Sequence, residues 1–434
     1  MATFGERMRE LMAERGLSYR KLATKVHCDD GYLSRIARDV KTPSPQLARA
    51  VDSALGAGGR LAALRPDGEV RSLDPKDWEE DEADMERRTL LQALAALGVP
   101  PSPVSEALQN IRVSIDRTFG GSEDGHIDEW NEIVAEYGHL YVLTPPRRLL
   151  LDLAGDLVTV QQITRRKKRE DARRNRAHRT SAPWSRVAAG LSALMAKTLC
   201  NLGRPREARD WWGTAQSAAD ASGDTDLALW IAGERLVHGL YERRPAAILL
   251  AKADKILEPV SKVPSRGLLH VRTVRAQLLA LSGDADEATT ELELCGEMFG
   301  KLPSSITSDV CSIAGWAEDR LRYTQAWVYA HLGERDQLDD AVAHAHRIAA
   351  AEDRRIRAQL GLLQAFGHVR AGNAGEGVRL AQVVYSRQPV EHRTTMVTSL
   401  ADQVLEAVPL QHRGEQVVID YRELLADSGR KAIT

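Results

Sequence analysis

A short turn recurs about every forty residues through the second half of this chain. The turns fall at Gly203 ("NLGRPREA"), Arg243 ("YERRPAAI"), Gly283 ("LSGDADEA"), Gly333 ("HLGERDQL") and Gly372 ("RAGNAGEG"). The intervals are 40, 40, 50 and 39 residues. Each turn is preceded and followed by a stretch with helical spacing of small and apolar residues. A period of roughly 20–50 residues built from helix-turn-helix units predicts stacked helical hairpins, each burying its apolar face against the next. Twelve positions before each turn stand Leu191, Ile231, Val271, Leu321 and Leu360, all apolar, so that position is expected to face the core.

Eight positions before each turn the pattern reverses. Met195, Arg235, Arg275, Gln325 and Gln364 occupy it, and Arg272 and Arg322 lie about one helical turn earlier on the same faces. The first helices of stacked hairpins line a concave surface. Arg235, Arg272, Arg275, Arg322, Gln325 and Gln364 are therefore the candidate ligand-binding residues, suited to a carboxylate or phosphate with exposed amides, such as an extended peptide. A solvated helix face carries the same residue types. Trp184, Trp316, Trp327 and Phe366 can wall a pocket, although aromatics at helical spacing are usually core.

The "LG…EA" texture of these turns resembles tetratricopeptide repeats, with a period longer than the usual 34 residues and without the early Trp in most units. The resemblance implies a tetratricopeptide-like α-solenoid over residues 87–434. Before the first repeat, Trp130, Ile133, Tyr137 and Tyr141 recur at helical spacing, and Pro145 and Pro146 end that helix ahead of "RRLLLDLAGDL". This stretch is similar to the same region of large helix-turn-helix regulators from high-GC filamentous bacteria.

The first 65 residues differ in character. They hold twelve Lys and Arg against seven Asp and Glu, and read as a small bundle of five short helices. Met8, Leu11 and Met12 share one face of the first, which ends at Gly16. Ser18 is placed to cap the second, with Leu22, Ala23 and Val26 inward. Asp29 is placed to cap a third that buries Leu33 and Ile36, and Pro45 opens the helix after "TPSP". The "GAGGR" that follows is not a nucleotide loop, because no strand precedes it.

The order "RMRELMAERGLSYRKLATKV", "GYLSRIARD", "TPSPQLARAVDSAL" resembles the phage-repressor-like helix-turn-helix domains of the xenobiotic-response-element type. Tyr19 stands where that family usually has a phosphate-contacting Gln, and Asp29 and Asp30 form an unusual acidic opening to the recognition helix. The resemblance implies a DNA-binding head. In such a helix, outward residues near the N-terminus meet base edges: here Asp30, Gly31, Ser34 and Arg35. Arg35 is suited to a bidentate pair with guanine. Asp30 complements the helix dipole or accepts from cytosine. Tyr32 is placed for a phosphate or a thymine methyl, and Arg20, Lys21, Lys25, Arg38 and Lys41 for phosphates.

Between the two parts, residues 66–86 hold ten acidic and two basic residues and read as a solvated linker that can also fold back on the basic head. A basic run from Arg165 to Arg179, nine basic and two acidic residues, reads as an exposed helix end or loop, with a second nucleic-acid patch as the alternative. Charged residues make up 28% and hydrophobic ones 43%, enough to bury a sizeable core. Aromatics are only 5%, in keeping with an all-α chain.

Other classes find no support. Cys28, Cys200, Cys295 and Cys311 show no CxxC spacing, which argues against a zinc site or a disulfide frame. No HExxH, P-loop, GxSxG or dinucleotide fingerprint occurs, so neither an enzyme, a metal nor a cofactor is expected. "ERRTLLQALAALGVPP" from Glu86 has the look of a twin-arginine signal but lies well inside the chain, and an amphipathic helix is the simpler reading. No apolar run is long enough for a membrane span. The chain is thus expected in the cytoplasm, with domains at 1–65, 66–86 and 87–434.

Joining a repressor-like head to helical repeats resembles the peptide-responsive regulators of bacterial quorum sensing. That resemblance implies a homodimer on operator DNA and a short peptide effector. The alternatives are a small natural product as effector, or an adaptor or antitoxin-like protein whose repeats bind another protein.

Overall fold

The computed structural model describes residues 3–64 and 126–433, apart from residues 27, 29, 44, 174–179, 261–262 and 309–314. The acidic linker, the twin-arginine-like stretch, Cys311 and the cap expected at Asp29 lie outside the described residues. The fold is all-α, and no strand occurs among the described residues. The chain divides into two compact units, Met1–Glu82 and Ala83–Thr434.

The first unit holds α1 (Phe4–Glu14), α2 (Tyr19–Val26), α3 (Asp30–Ala37) and α4 (Pro45–Ala54). Among its described residues the fifth helical element is the single 3-10 turn Ala62–Leu64. Thr3 and Glu6 form a capping box at the start of α1: the Thr3 hydroxyl accepts from the Glu6 amide at 3.1 Å, and the Glu6 carboxylate accepts from the Thr3 amide at 3.0 Å. Gly16 takes the left-handed conformation that ends the helix, and Ser18 accepts from the Lys21 amide to start α2. Met8, Leu22, Leu33, Val51, Leu55 and Leu61 are fully buried together. Each such side chain contributes about 1.5–3 kcal/mol by leaving water.

Two carboxylates lock this small core. Asp39, in the left-handed region at φ 56°, accepts from the Gly5 amide at 3.0 Å and from the Thr3 hydroxyl at 2.5 Å, tying the chain after α3 to the start of α1. Asp52 on α4 accepts from the amides of Gly59 and Leu61, both at 2.8 Å, and of Ala62 at 2.9 Å. Burial acts to raise the Asp52 pKa, but these amides, with Arg60 nearby, overcome it and hold the carboxyl below its ordinary range.

The second unit is built of helical pairs. In chain order these are α5 (His126–Leu143) with α6 (Pro146–Arg173), α7 (Ala182–Asn201) with α8 (Pro205–Ser222), and α9 (Thr225–Tyr241) with α10 (Ala246–Leu257). Then follow α11 (Arg266–Ser282) with α12 (Ala285–Phe299), α13 (Glu318–Leu332) with α14 (Arg335–Ile348), α15 (Arg354–Arg370) with α16 (Ala374–Ser386), and α17 (Thr395–Ala407) with α18 (Gln416–Ile433). The basic run begins in the C-terminal end of α6 and continues beyond the described residues.

All five turns read from the sequence adopt one conformation. Gly203, Gly283, Gly333 and Gly372 have φ between 71° and 87°, and Arg243 has φ 57°. A left-handed residue reverses the chain after each first helix, and glycine takes that conformation without a Cβ clash. Leu191, Ile231, Val271, Leu321 and Leu360 are all buried. Consecutive first helices pack on one another, α9 against α11, α11 against α13 and α13 against α15. At Gly267 an added Cβ would stand 2.2 Å from the Asp226 carbonyl oxygen, so only glycine lets the start of α11 approach α9 this closely.

The run of pairs also meets itself. Helix α17 contacts α7 and α9. The Thr395 hydroxyl donates to the Cys200 carbonyl at 2.7 Å, and the Ser399 hydroxyl to the Tyr241 carbonyl at 3.1 Å. Arg243 pairs with Glu406 at 2.5 Å, and the Arg355 guanidinium donates to the Tyr141 carbonyl.

Candidate nucleic-acid interface and the polar sites of the helical unit

In the first unit, α2 and α3 form the two helices of a helix-turn-helix. Leu33 and Ile36 anchor α3 in the core, which turns the other side of the helix outward. Asp30, Gly31 and Arg35 are exposed there, and Ser34 is half-buried. The Asp30 carboxylate accepts from the Gly31 amide at 3.0 Å, so it already serves the positive end of the helix. Arg38 donates to the Ser34 carbonyl at 3.2 Å and remains exposed. Arg20, Lys21 and Lys25 are exposed along α2, while Lys41 lies over the half-buried Tyr32 ring, 5.9 Å from its centroid. The candidate residues thus share a small unit in which the apolar side of each helix is committed to the core and the basic side chains face water.

The candidate ligand residues of the second unit have a different setting. Arg275 pairs with Asp254 on α10 at 2.8 Å and with Glu287 and Glu291 on α12 at 2.8 and 3.0 Å. Arg272 pairs with Glu291 at 2.8 Å, and Gln364 donates to Asp339 on α14 at 2.9 Å. Arg322 pairs with Glu318 one turn earlier and donates to Gln325. Arg272, Arg275 and Gln364 therefore run toward second helices of the repeat rather than standing free on an open first-helix surface. Arg235 is exposed. Trp184 and Trp327 are core residues, and Trp316 packs tilted against Phe299. Phe366 and Trp327 flank His331, with ring centroids at 4.9 and 4.6 Å.

Sequence reasoning missed a buried ionic cluster across α7, α9 and α11. The Lys197 ammonium lies 2.5 Å from Glu234 and over the rings of Tyr141 and Trp230. His238 and His270 bring Nε2 to within 3.7 and 3.5 Å of the same carboxylate. Burial opposes ionisation of Glu234, but Lys197 and His270 overcome it and hold the carboxyl well below its ordinary range. Burial, reinforced by Lys197, pushes His238 down to about 3. Burial lowers His270 as well, against the pull of Glu234. Both imidazoles are neutral near pH 7. The sequence offered no metal-like spacing here, and among the described residues no group of His, Cys, Asp and Glu is arranged to hold a metal ion. Cys200 and Cys295 are buried free thiols, and no described helix is long and apolar enough to cross a membrane.

Comparison with known proteins bears on the first unit. A family described as a helix-turn-helix domain matches residues 3–64. No curated protein matches the chain. Among solved structures, the crystal structure of Bacillus thuringiensis PlcR in complex with the peptide PapR7 and DNA is similar at 12% identity and a TM-score of 0.30, over 69% of this chain and 95% of that one. The arrangement of the repeats rests on the contacts described above. Residues 3–64 form a helix-turn-helix domain, carried in one chain with an all-α unit of repeated helical pairs.

Proposed function

We propose that the protein is a sequence-specific DNA-binding transcriptional regulator whose helical repeats, of tetratricopeptide-like type, sense a ligand and tune DNA binding. The observation that carries the reading is the outward side of α3, where Gly31, Ser34 and Arg35 stand opposite the buried Leu33 and Ile36 in a matched helix-turn-helix. Arg35 is the base reader, and Gly31 lets the backbone approach the groove. Arg20, Lys21, Lys25, Arg38 and Lys41 supply phosphate contacts, and Tyr32 packs behind them. The protein acts as a homodimer in the cytoplasm, its two heads about 34 Å apart on a two-fold-symmetric operator. A short peptide is the effector class that an extended helical-repeat surface serves best. It acts by preferring one dimer geometry over another.

Fluorescence anisotropy on a duplex from the gene's own upstream region, followed by a genomic fragment selection, tests the DNA reading. Wild type is expected to prefer a defined sequence over random DNA, with affinity falling steeply as salt rises. Arg35→Ala should weaken the specific complex by about 1–3 kcal/mol. A protein that selects no sequence in either experiment is not this regulator.

A further inference from the structure

A cleft of about 380 Å³ opens where α17 meets the ends of α7 and α9. Its wall includes Arg209 at the start of α8, Arg244 and Glu242 after α9, His238, and Met396 on α17. The Thr395–Cys200 hydrogen bond that joins α17 to α7 runs along its edge. The cleft is therefore lined by α7, α8 and α9 on one side and by α17, far along the chain, on the other.

Its chemistry is specific. Arg209 gives one N–H to the Pro205 carbonyl at 3.1 Å and is otherwise exposed. Arg244 makes no side-chain hydrogen bond or ion pair among the described residues, yet acts on the Glu242 carboxyl from nearby. Burial raises the Glu242 pKa against the pull of these two guanidiniums. His238 is 3% exposed, packs against Trp212 at 5.5 Å, and brings Nε2 to 3.7 Å from Glu234 in the buried cluster behind the cleft. Pro205, the first residue of α8, lines the same space, and the N-terminus of that 18-residue helix has no side-chain cap. Two guanidiniums against one carboxylate leave a single positive charge on the wall of the cleft. Met396 and the Pro205 ring add apolar wall. A volume near the lower end of ligand pockets suits a small molecule or the last residue of a peptide.

We propose that this cleft binds a small organic monocarboxylate, with Arg244 and Arg209 on the carboxylate and Met396 against its apolar body. The proposal rests on the reading of the helical unit as a sensor and gives that sensor an address. A ligand here touches α8, α9 and α17 at once, so it favours the arrangement in which α17 stays joined to α7 and α9 over any in which they part.

The test uses the full-length protein labelled with 13C at the methionine methyls. Met396→Leu assigns the Met396 signal, and Met298, buried elsewhere, reports that the fold is intact. The probes are N-acetyl-leucine and 4-phenylbutyrate, each beside its primary amide. Both acids are expected to move the Met396 signal saturably in the millimolar range, with amides about tenfold weaker. Arg244→Gln should abolish the preference for acid over amide while Met298 stays in place. Tighter binding of N-acetyl-leucine assigns the site to a peptide C-terminus, and tighter binding of phenylbutyrate to a free acid. Equal response to acid and amide, or none at Met396, overturns the proposal. Anisotropy on operator DNA with the same samples separates the two readings. Specific DNA binding without a Met396 response removes the cleft alone. A Met396 response without specific DNA binding removes the regulator and leaves the cleft.

Discussion

Lys197 on α7 and Glu234 on α9 form an ion pair of 2.5 Å in which both side chains are about nine-tenths buried or more. A pair this dry costs much to desolvate, and its value shows when one partner is removed. Lys197→Met strands a carboxylate between two neutral imidazoles and should lower stability by about 3–5 kcal/mol. Adding Glu234→Gln should recover a substantial part of that loss. Urea unfolding of both single variants and the double variant checks it, and strictly additive losses would show that the two groups are not coupled.

His238 gives the protein a definite response to acid. The folded state holds this imidazole at about 3, against an ordinary 6.5. Between those values the unfolded chain binds the proton and the folded protein does not. Stability therefore rises with pH through this window and levels off above it. The slope from this one group is about 1.4 kcal/mol per pH unit. His238→Phe keeps a ring against Trp212 and should flatten the acid limb of stability against pH. Parallel limbs for wild type and variant would contradict the neutral, buried imidazole.

Asp52 should matter to the first unit as much as any apolar residue. Asp52→Ala leaves the amides of Gly59, Leu61 and Ala62 without their acceptor, at about 1–3 kcal/mol for each group that stays buried. Hydrogen exchange read by mass spectrometry over residues 57–64 should show lost protection, and operator affinity should fall although Asp52 is not among the proposed DNA-reading residues. Unchanged protection would mean that water replaces the carboxylate without cost.

Arg243 holds the left-handed position that glycine holds at four other turns. Arg243→Gly and Arg243→Ala both remove the ion pair to Glu406, so the difference between them isolates the backbone. The glycine variant should be more stable than the alanine variant by about 1 kcal/mol. Equal melting temperatures would mean that the turn relaxes out of the left-handed region.

The turn at Arg243 was legible only through its spacing from Gly203 and Gly283, because nothing in "YERRPAAI" alone demands a positive φ. The core register was legible for a simpler reason: helical periodicity assigns Leu191, Ile231 and Val271 to the inward side whatever their neighbours do. Periodicity does not say which polar residues will find partners. Arg275 meets Glu291 only once α11 and α12 have packed, and that depends on a rotation between helices no single-helix pattern encodes. Asp52 was hidden for the opposite reason, since its three amides lie within ten residues but in a loop of glycines without side-chain signals. The cleft brings Cys200 beside Thr395, 195 residues apart, and pairwise proximity over that span is set by the accumulated curvature of the repeats.

Repeated helical pairs ordinarily behave as a chain of neighbours, each adding its own increment and free to unravel from either terminus. The contacts of α17 with α7 and α9 limit that freedom. With α17 fastened back to α7 and α9, melting that starts at α17 must also break contacts made far back along the chain. A deletion of one central pair would not shorten the stack by one unit but pull Thr395 out of reach of Cys200. Between α7 and α17 the number of pairs is then held by that contact, and length variation of the kind open repeat arrays tolerate would break it.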